Sequence, residues 1–295
     1  MWGKRSLRAG EWVEVKSAAE ILATLDEEGR REALPFMPEM LHYCGRRFPV
    51  ATRAHKNCDT IARAGTMRRL PAAVHLAGLR CDGGAHGGCQ AGCLLFWKET
   101  WLRRVDAPRS PPTPPTPIPA PGARCDLAAL TRATRRAGPG DTRYRCQATE
   151  LNAATTPLPW WQPGAYVQDL LSRNVRLRDF IRYIAIAAYN VVMRLHWRLR
   201  PYASFRGRVW GGERTPAAPL DLAPGEWVQV RSKDEIERTL DADGRNRGLS
   251  FDPEMVPYCG RTFRVLRRVE RIVDEQTGQM RRISGGGGGG GGSGG

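Results

Sequence analysis

Residues 78 to 97 read "GLRCDGGAHGGCQAGCLLFW", gathering Cys81, Cys89, Cys93 and His86 among glycines before an apolar, aromatic stop. Thiols at such spacing can pair with one another, ligate a metal, or react as nucleophiles and redox groups. Three thiolates leave a tetrahedral ion one ligand short. The strand order expected from the sequence supplies the fourth. If the strand after Cys44 runs up to Cys58, its partner runs down through Met67 to Leu70, and "AVHLAGL" runs up again to Cys81, then Cys58 and Cys81 share one end of the sheet. The expected metal set is therefore Cys58, Cys81, Cys89 and Cys93, with His86 and Cys44 as competitors. Cys44 has a counterpart, Cys259, in a second copy that lacks the cluster, which points to a role in the fold. The glycines at 83, 84, 87, 88 and 92 suit a backbone that wraps closely around an ion.

A closed set of four cysteines holds zinc structurally, and the same set would hold an iron–sulfur cluster. Zinc is the expected cofactor, with an iron–sulfur cluster as the alternative, because no electron-transfer motif accompanies the cysteines. Free or redox-active thiols are the remaining reading. Catalytic motifs are not apparent: the sequence has no Walker loop, no HExxH and no CxxC, and its one GxSxG falls in the terminal glycine run. Glu39 and Glu254 recur in a Pro-Glu-Met loop and read as structural caps, and no histidine has an evident catalytic partner.

Composition frames these residues. The chain has 295 residues, enough for two ordinary domains, and a formal charge of +16. Such a charge suits nucleic acid or an anionic membrane. Nearly all of it is arginine, however, as a GC-rich coding bias would supply, so nucleic acid is not the favoured partner. The N-terminus lacks the apolar run of a secretory signal, so a cytoplasmic location is expected, where clustered cysteines read as ligands more readily than as disulfides.

An internal repeat sets the architecture. "GEWVEVKSAAEILATLDEEGRREALPFMPEMLHYCGRRF" from Gly10 returns as "GEWVQVRSKDEIERTLDADGRNRGLSFDPEMVPYCGRTF" from Gly225, more than half identical without a gap. Each copy opens with strand-like alternation, Trp12 to Val15 and Trp227 to Val230. A helix follows in each, marked by the capping boxes Ser17 with Glu20 and Ser232 with Glu235. Gly29 and Gly244 suit the helix exits. Long strands then turn back at "ARAGT" or "EQTG" into "MRRL" or "MRRI". The fold class expected is α+β: two small SH3-like, mostly antiparallel units, each with one inserted helix, the alternative being a two-layer sandwich.

The expected domains are 1–105, the first repeat with its cysteine segment; 106–124, a proline-rich linker; 125–214, a helical middle; 215–283, a truncated second repeat; and 284–295, a glycine tail. In the middle region, "RCxxxxLxxAT" occurs at Cys125 and Cys146 and reads as two short helices, whose cysteines could be additional ligands but read more readily as buried free thiols. From Trp160 to Pro201 the signal is helical, with Leu177, Phe180, Ile181, Ile184, Ala188, Val191, Val192 and Leu195 on one face. That face is expected to cover the barrels. The alternative is peripheral membrane contact through 176–200.

The two "PEMxxYCG" copies, with "LRCDGGAHGGCQAGCLLFWKETWLRRV", resemble an uncharacterised bacterial family of duplicated cysteine-containing proteins. The resemblance covers most of residues 10 to 283 and implies no particular activity. Relatives continue past the second copy into another cysteine-bearing segment, where this chain has glycine, so no second metal site is carried over. The function expected is a non-enzymatic, metal-stabilised binding or scaffold protein with an unidentified protein partner. Its alternatives are an iron–sulfur or thiol-based oxidoreductase component and a basic nucleic-acid or membrane-surface adaptor.

Overall fold

The computed structural model describes residues 5–59, 66–107, 125–136, 142–159, 161–195, 220–241, 244–246 and 249–283. The proline-rich linker, save its first two residues, the glycine tail, the "ARAGT" turn and the arginines beyond residue 195 lie outside them. The fold is mixed α+β with mainly antiparallel sheets. The chain divides into two compact units: the first takes in residues up to Phe180 and returns at Arg271–Ile283, and the second spans Ile181–Glu270.

The first unit is built on strands β1 (Trp12–Val15), β4 (Arg47–Arg53), β7 (Ala73–Arg80), β8 (Leu94–Lys98) and β9 (Leu102–Arg104), in the antiparallel order β8-β7-β4-β1-β9. Alternation in β1 buries Val13 and Val15 completely. Helix α1 (Ala18–Leu22) starts at the Ser17–Glu20 capping box and buries Ile21 and Leu22. The short hairpin of β2 (Arg30–Arg31) and β3 (Leu34–Pro35) leads to Phe36, whose ring meets the buried Trp97 and Trp101 edge-on. Gly29 does not end the helix. It lies in the turn before β2 at φ +72°, where an added Cβ would meet Leu130 Cδ1 at 2.9 Å.

The segment between β4 and β7 departs from the expected order. β5 (Asn57–Cys58) and β6 (Met67–Arg69) form their own hairpin, joined to β12 (Thr156–Leu158) rather than to the main sheet. β7 therefore pairs directly with β4, Arg53 opposite Val74 and Val50 opposite Leu76. It runs down where the sequence reading has it running up. Cys81, just past β7, consequently lies at the Cys44 end of the sheet, and Cys58 lies beyond the opposite end.

Helices α2 (Leu127–Ala133) and α3 (Gln147–Ala154) are the two short helices expected from "RCxxxxLxxAT". Each is followed by a short strand, β10 (Arg135–Arg136) after α2 and β12 after α3, and β11 (Arg143–Tyr144) pairs with β10. α4 (Pro163–Leu171) follows, and then α5 (Leu177–Leu195). The apolar face of α5 is not core: Leu177, Ile181, Ile184, Val191 and Val192 are all exposed, Ile184 at 54%.

In the second unit, β13 (Trp227–Gln229) pairs with β16 (Thr262–Arg264), placing Trp227 opposite Arg264 as Trp12 stands opposite Pro49. α6 (Lys233–Glu237) carries the Ser232–Glu235 capping box, and β14 (Arg245–Asn246) pairs with β15 (Leu249–Ser250). Burial differs from the first copy at Trp227, which is 69% exposed, whereas Leu240 is buried as its counterpart Leu25 is. In the first copy, residues 73–104 supply much of the core. The second long strand is interrupted, because β17 (Arg271–Val273) pairs with β18 (Met280–Arg282) as a separate hairpin that belongs to the first unit.

Candidate metal centre

The cysteine stretch is a loop closed at its mouth and held from three sides. The Cys81 amide donates to the Cys93 carbonyl at 2.9 Å, so the chain leaves β7 and re-enters β8 side by side. Within the loop, Gly83 accepts from the amides of His86 and Gly88 at 3.0 and 2.9 Å. Gly83 has φ +76°, and a Cβ there would stand 1.9 Å from the Cys89 carbonyl oxygen, which only glycine avoids. The glycine-rich composition thus serves a tight fold of the loop upon itself.

Below the loop lies α3. The Gln147 side chain, almost fully buried, treats β8 as a neighbouring strand would: its amide donates to the carbonyls of Phe96 and Pro35 at 2.9 and 3.0 Å, and its oxygen accepts from the Phe96 amide at 2.8 Å. An edge strand left with open backbone groups is satisfied in this way. The same contact brings Cys146, at the start of α3, up to the loop. On the third side, Gln90 exchanges hydrogen bonds with Arg271 of β17, its amide donating to the Arg271 carbonyl at 3.0 Å and its Oε1 accepting from the Arg271 amide at 3.2 Å, and the Val273 amide donates to Cys89 Sγ at 3.3 Å.

Cys81, Cys89, Cys93 and Cys146 line one cavity of about 40 Å³, together with His86, Gln147 and apolar groups such as Met37, Leu95 and Val273. A single water needs roughly 10–15 Å³ of such space. Burial pushes the Cys81 thiol up to about 12, and the Glu39 carboxylate adds to the effect. Burial likewise raises Cys93 to about 11, helped by the nearby Cys146, and it raises Cys146 itself. Thiols so raised are protonated and poor nucleophiles at neutral pH. A bound cation would supply the charge that turns them into thiolates.

Three of the four ligands expected from sequence are brought together. Cys58 is not: it is exposed on β5, opposite Met67, and does not line the cavity. Cys146 stands in that place, although its sequence pattern reads as a buried, unligated cysteine. Its twin Cys125 is fully buried beside Gly29 and does not line the cavity. Cys44 packs against the core, its thiol raised to about 11 by burial, and does not line the cavity either.

His86 has a different partner. Its Nδ1 lies 2.7 Å from Glu39 Oε1, which also accepts from the Ala85 amide at 3.0 Å, and its Nε2 lies 3.0 Å from the Arg145 carbonyl oxygen. Both residues are more than nine-tenths buried. Burial raises the Glu39 pKa, but the hydrogen bond and charge of His86 more than offset it, leaving the carboxyl below its usual range. From the first turn of the short 3-10 helix Pro38–Tyr43, Glu39 thus also anchors the cysteine loop. Glu39, Cys81 and His86 offer ligand atoms within 4.8 Å of one another and could hold a metal ion. To ligate one, His86 would first have to release an oxygen partner, while Glu39 Oε2 is buried without a hydrogen bond.

Among the described residues no helix is long and apolar enough to cross a membrane. Searches of protein-family models, curated proteins and solved structures find no match to this chain.

Proposed function

We propose that this protein is a scaffold held together by a metal centre on Cys81, Cys89, Cys93 and Cys146. The observation that carries this reading is the convergence of four thiols, from two distant segments, on one small cavity. Zinc and an iron–sulfur cluster both take four thiolates, and the scaffold role holds for either. The metal would tie the loop after β7 to α3, while β17 covers it, so its binding free energy would become folding free energy. The SH3-like reading of each copy is supported by the antiparallel sheet order of the first and by the strand register shared by the two. Elemental analysis of the full chain purified under reducing conditions tests the function. Metal should be present, should fall with Cys146→Ser and should be unchanged in Cys58→Ser; absence of both zinc and iron would end the proposal.

A second reading, a membrane-surface adaptor, is favoured by α5. Its exposed apolar face follows Arg173 and Arg176 and is flanked by Arg178 and Arg182, which suits an anionic lipid surface. Ile184→Glu should leave the protein folded, because an exposed site tolerates the charge, and should abolish co-sedimentation with phosphatidylserine vesicles. Absence of binding by the unmodified chain would dismiss this reading.

A further inference from the structure

The spacing of the sulfurs separates a single ion from a cluster. In a tetrahedral zinc site with Zn–S near 2.3 Å, neighbouring sulfurs stand roughly 3.8 Å apart. Among the described residues, the group of three or more donors drawn within 4.8 Å is Glu39, Cys81 and His86, so no three of the cysteine sulfurs approach that closely. Closing them on one ion would require movement of α3, which Gln147 fixes to β8 through three hydrogen bonds, or of the loop, which Glu39 fixes through His86 and Ala85. In a cubane cluster each thiolate binds a different iron, and the sulfurs stand further apart.

The surroundings agree with the spacing. The cavity of about 40 Å³ exceeds what one water or one ion needs, and its walls beyond the four cysteines are mostly apolar, with His86 and Gln147 the polar side chains among them. The Val273 amide donates to Cys89 Sγ, a contact that stabilises thiolate sulfur and is among those that tune cluster potentials. His86, by contrast, has both ring nitrogens directed at oxygen atoms.

We propose that Cys81, Cys89, Cys93 and Cys146 ligate a [4Fe–4S] cluster. This rests on the four-thiolate reading above and goes further by naming the occupant. The full chain, purified without oxygen or reconstituted with ferrous iron and sulfide, should be brown and contain about four iron and four sulfide per chain. Cys146→Ser should lose most of that iron, and Cys58→Ser should retain it. Where Cys146→Ser does not fold, alkylation of the unmodified protein before and after its iron is stripped with a chelator gives the answer: the four cysteines should react faster once the iron is gone, while Cys58 should react equally in both. One zinc per chain without sulfide, lost in Cys146→Ser, would overturn the cluster and leave the four-thiolate scaffold standing. Metal retained in Cys146→Ser but lost in Glu39→Gln would overturn both and place the ion on Glu39, Cys81 and His86. No metal in either the purified or the reconstituted chain would also overturn both.

Discussion

The backbone amide of Val273 donates a hydrogen bond to Sγ of Cys89, 184 residues earlier in the chain. The end of the second sequence copy is thereby part of the cysteine site of the first. Outer contacts of this kind typically change metal affinity 10–100-fold. Val273→Pro removes the donor and should weaken metal retention by about that factor in competition with a chelator. Val273→Ile keeps the amide and should match the unmodified chain.

Gly83 makes a second test. A methyl group there would collide with the Cys89 carbonyl at a backbone angle that favours glycine. Gly83→Ala should cost more than about 1 kcal/mol in denaturant unfolding and should lower metal content. Gly78→Ala is the control: its φ is also positive, but a Cβ meets nothing within 4 Å, so strain alone is measured.

The isolated fragment 1–105 contains three of the thiols but lacks Cys146, Gln147 and β17. Its main sheet is complete, so secondary structure should form. Metal should bind at least tenfold more weakly than in the full chain, because a ligand and its supporting contacts are missing. Equilibrium dialysis against the same metal at equal concentrations compares the two directly.

Stability should also fall on acidification from pH 7 to pH 5. Burial holds the His75 pKa below its ordinary value of about 6.5, and the charge of Arg80 lowers it further, against the Leu95 carbonyl bond that raises it. His55 is lowered by burial in the same direction, against Ala165 and Asp169. For both, the unfolded chain binds the more protons below about pH 6.5, so stability present above that value is lost as pH drops through the folded pKa. Thermal melts across this range should show the decline, and His75→Phe, whose ring would sit beside Phe96, should make it shallower.

Much of the local structure follows from residue pattern alone. The capping boxes at Ser17 and Ser232, the alternation that buries Val13 and Val15, and the short helices after Cys125 and Cys146 depend on neighbours within a few residues, so the sequence displays them. The loop of Cys81, Cys89 and Cys93 is legible for the same reason, since glycines spaced among thiols announce a tight turn of the backbone.

The fourth cysteine is another matter. Whether Cys58 or Cys146 meets the loop depends on which strand pairs with β4, and that is decided by the side hairpin of β5 and β6, which attaches to β12 and leaves β7 free to run back along β4. Cys125 and Cys146 have the same local pattern. Only Cys146 is drawn to the cavity, because Gln147 finds the open edge of β8 whereas Asp126 caps its own helix. Glu39 and His86 meet across 47 residues by the same logic. Contacts between distant segments depend on the order in which strands associate, and no single segment of the chain encodes that order.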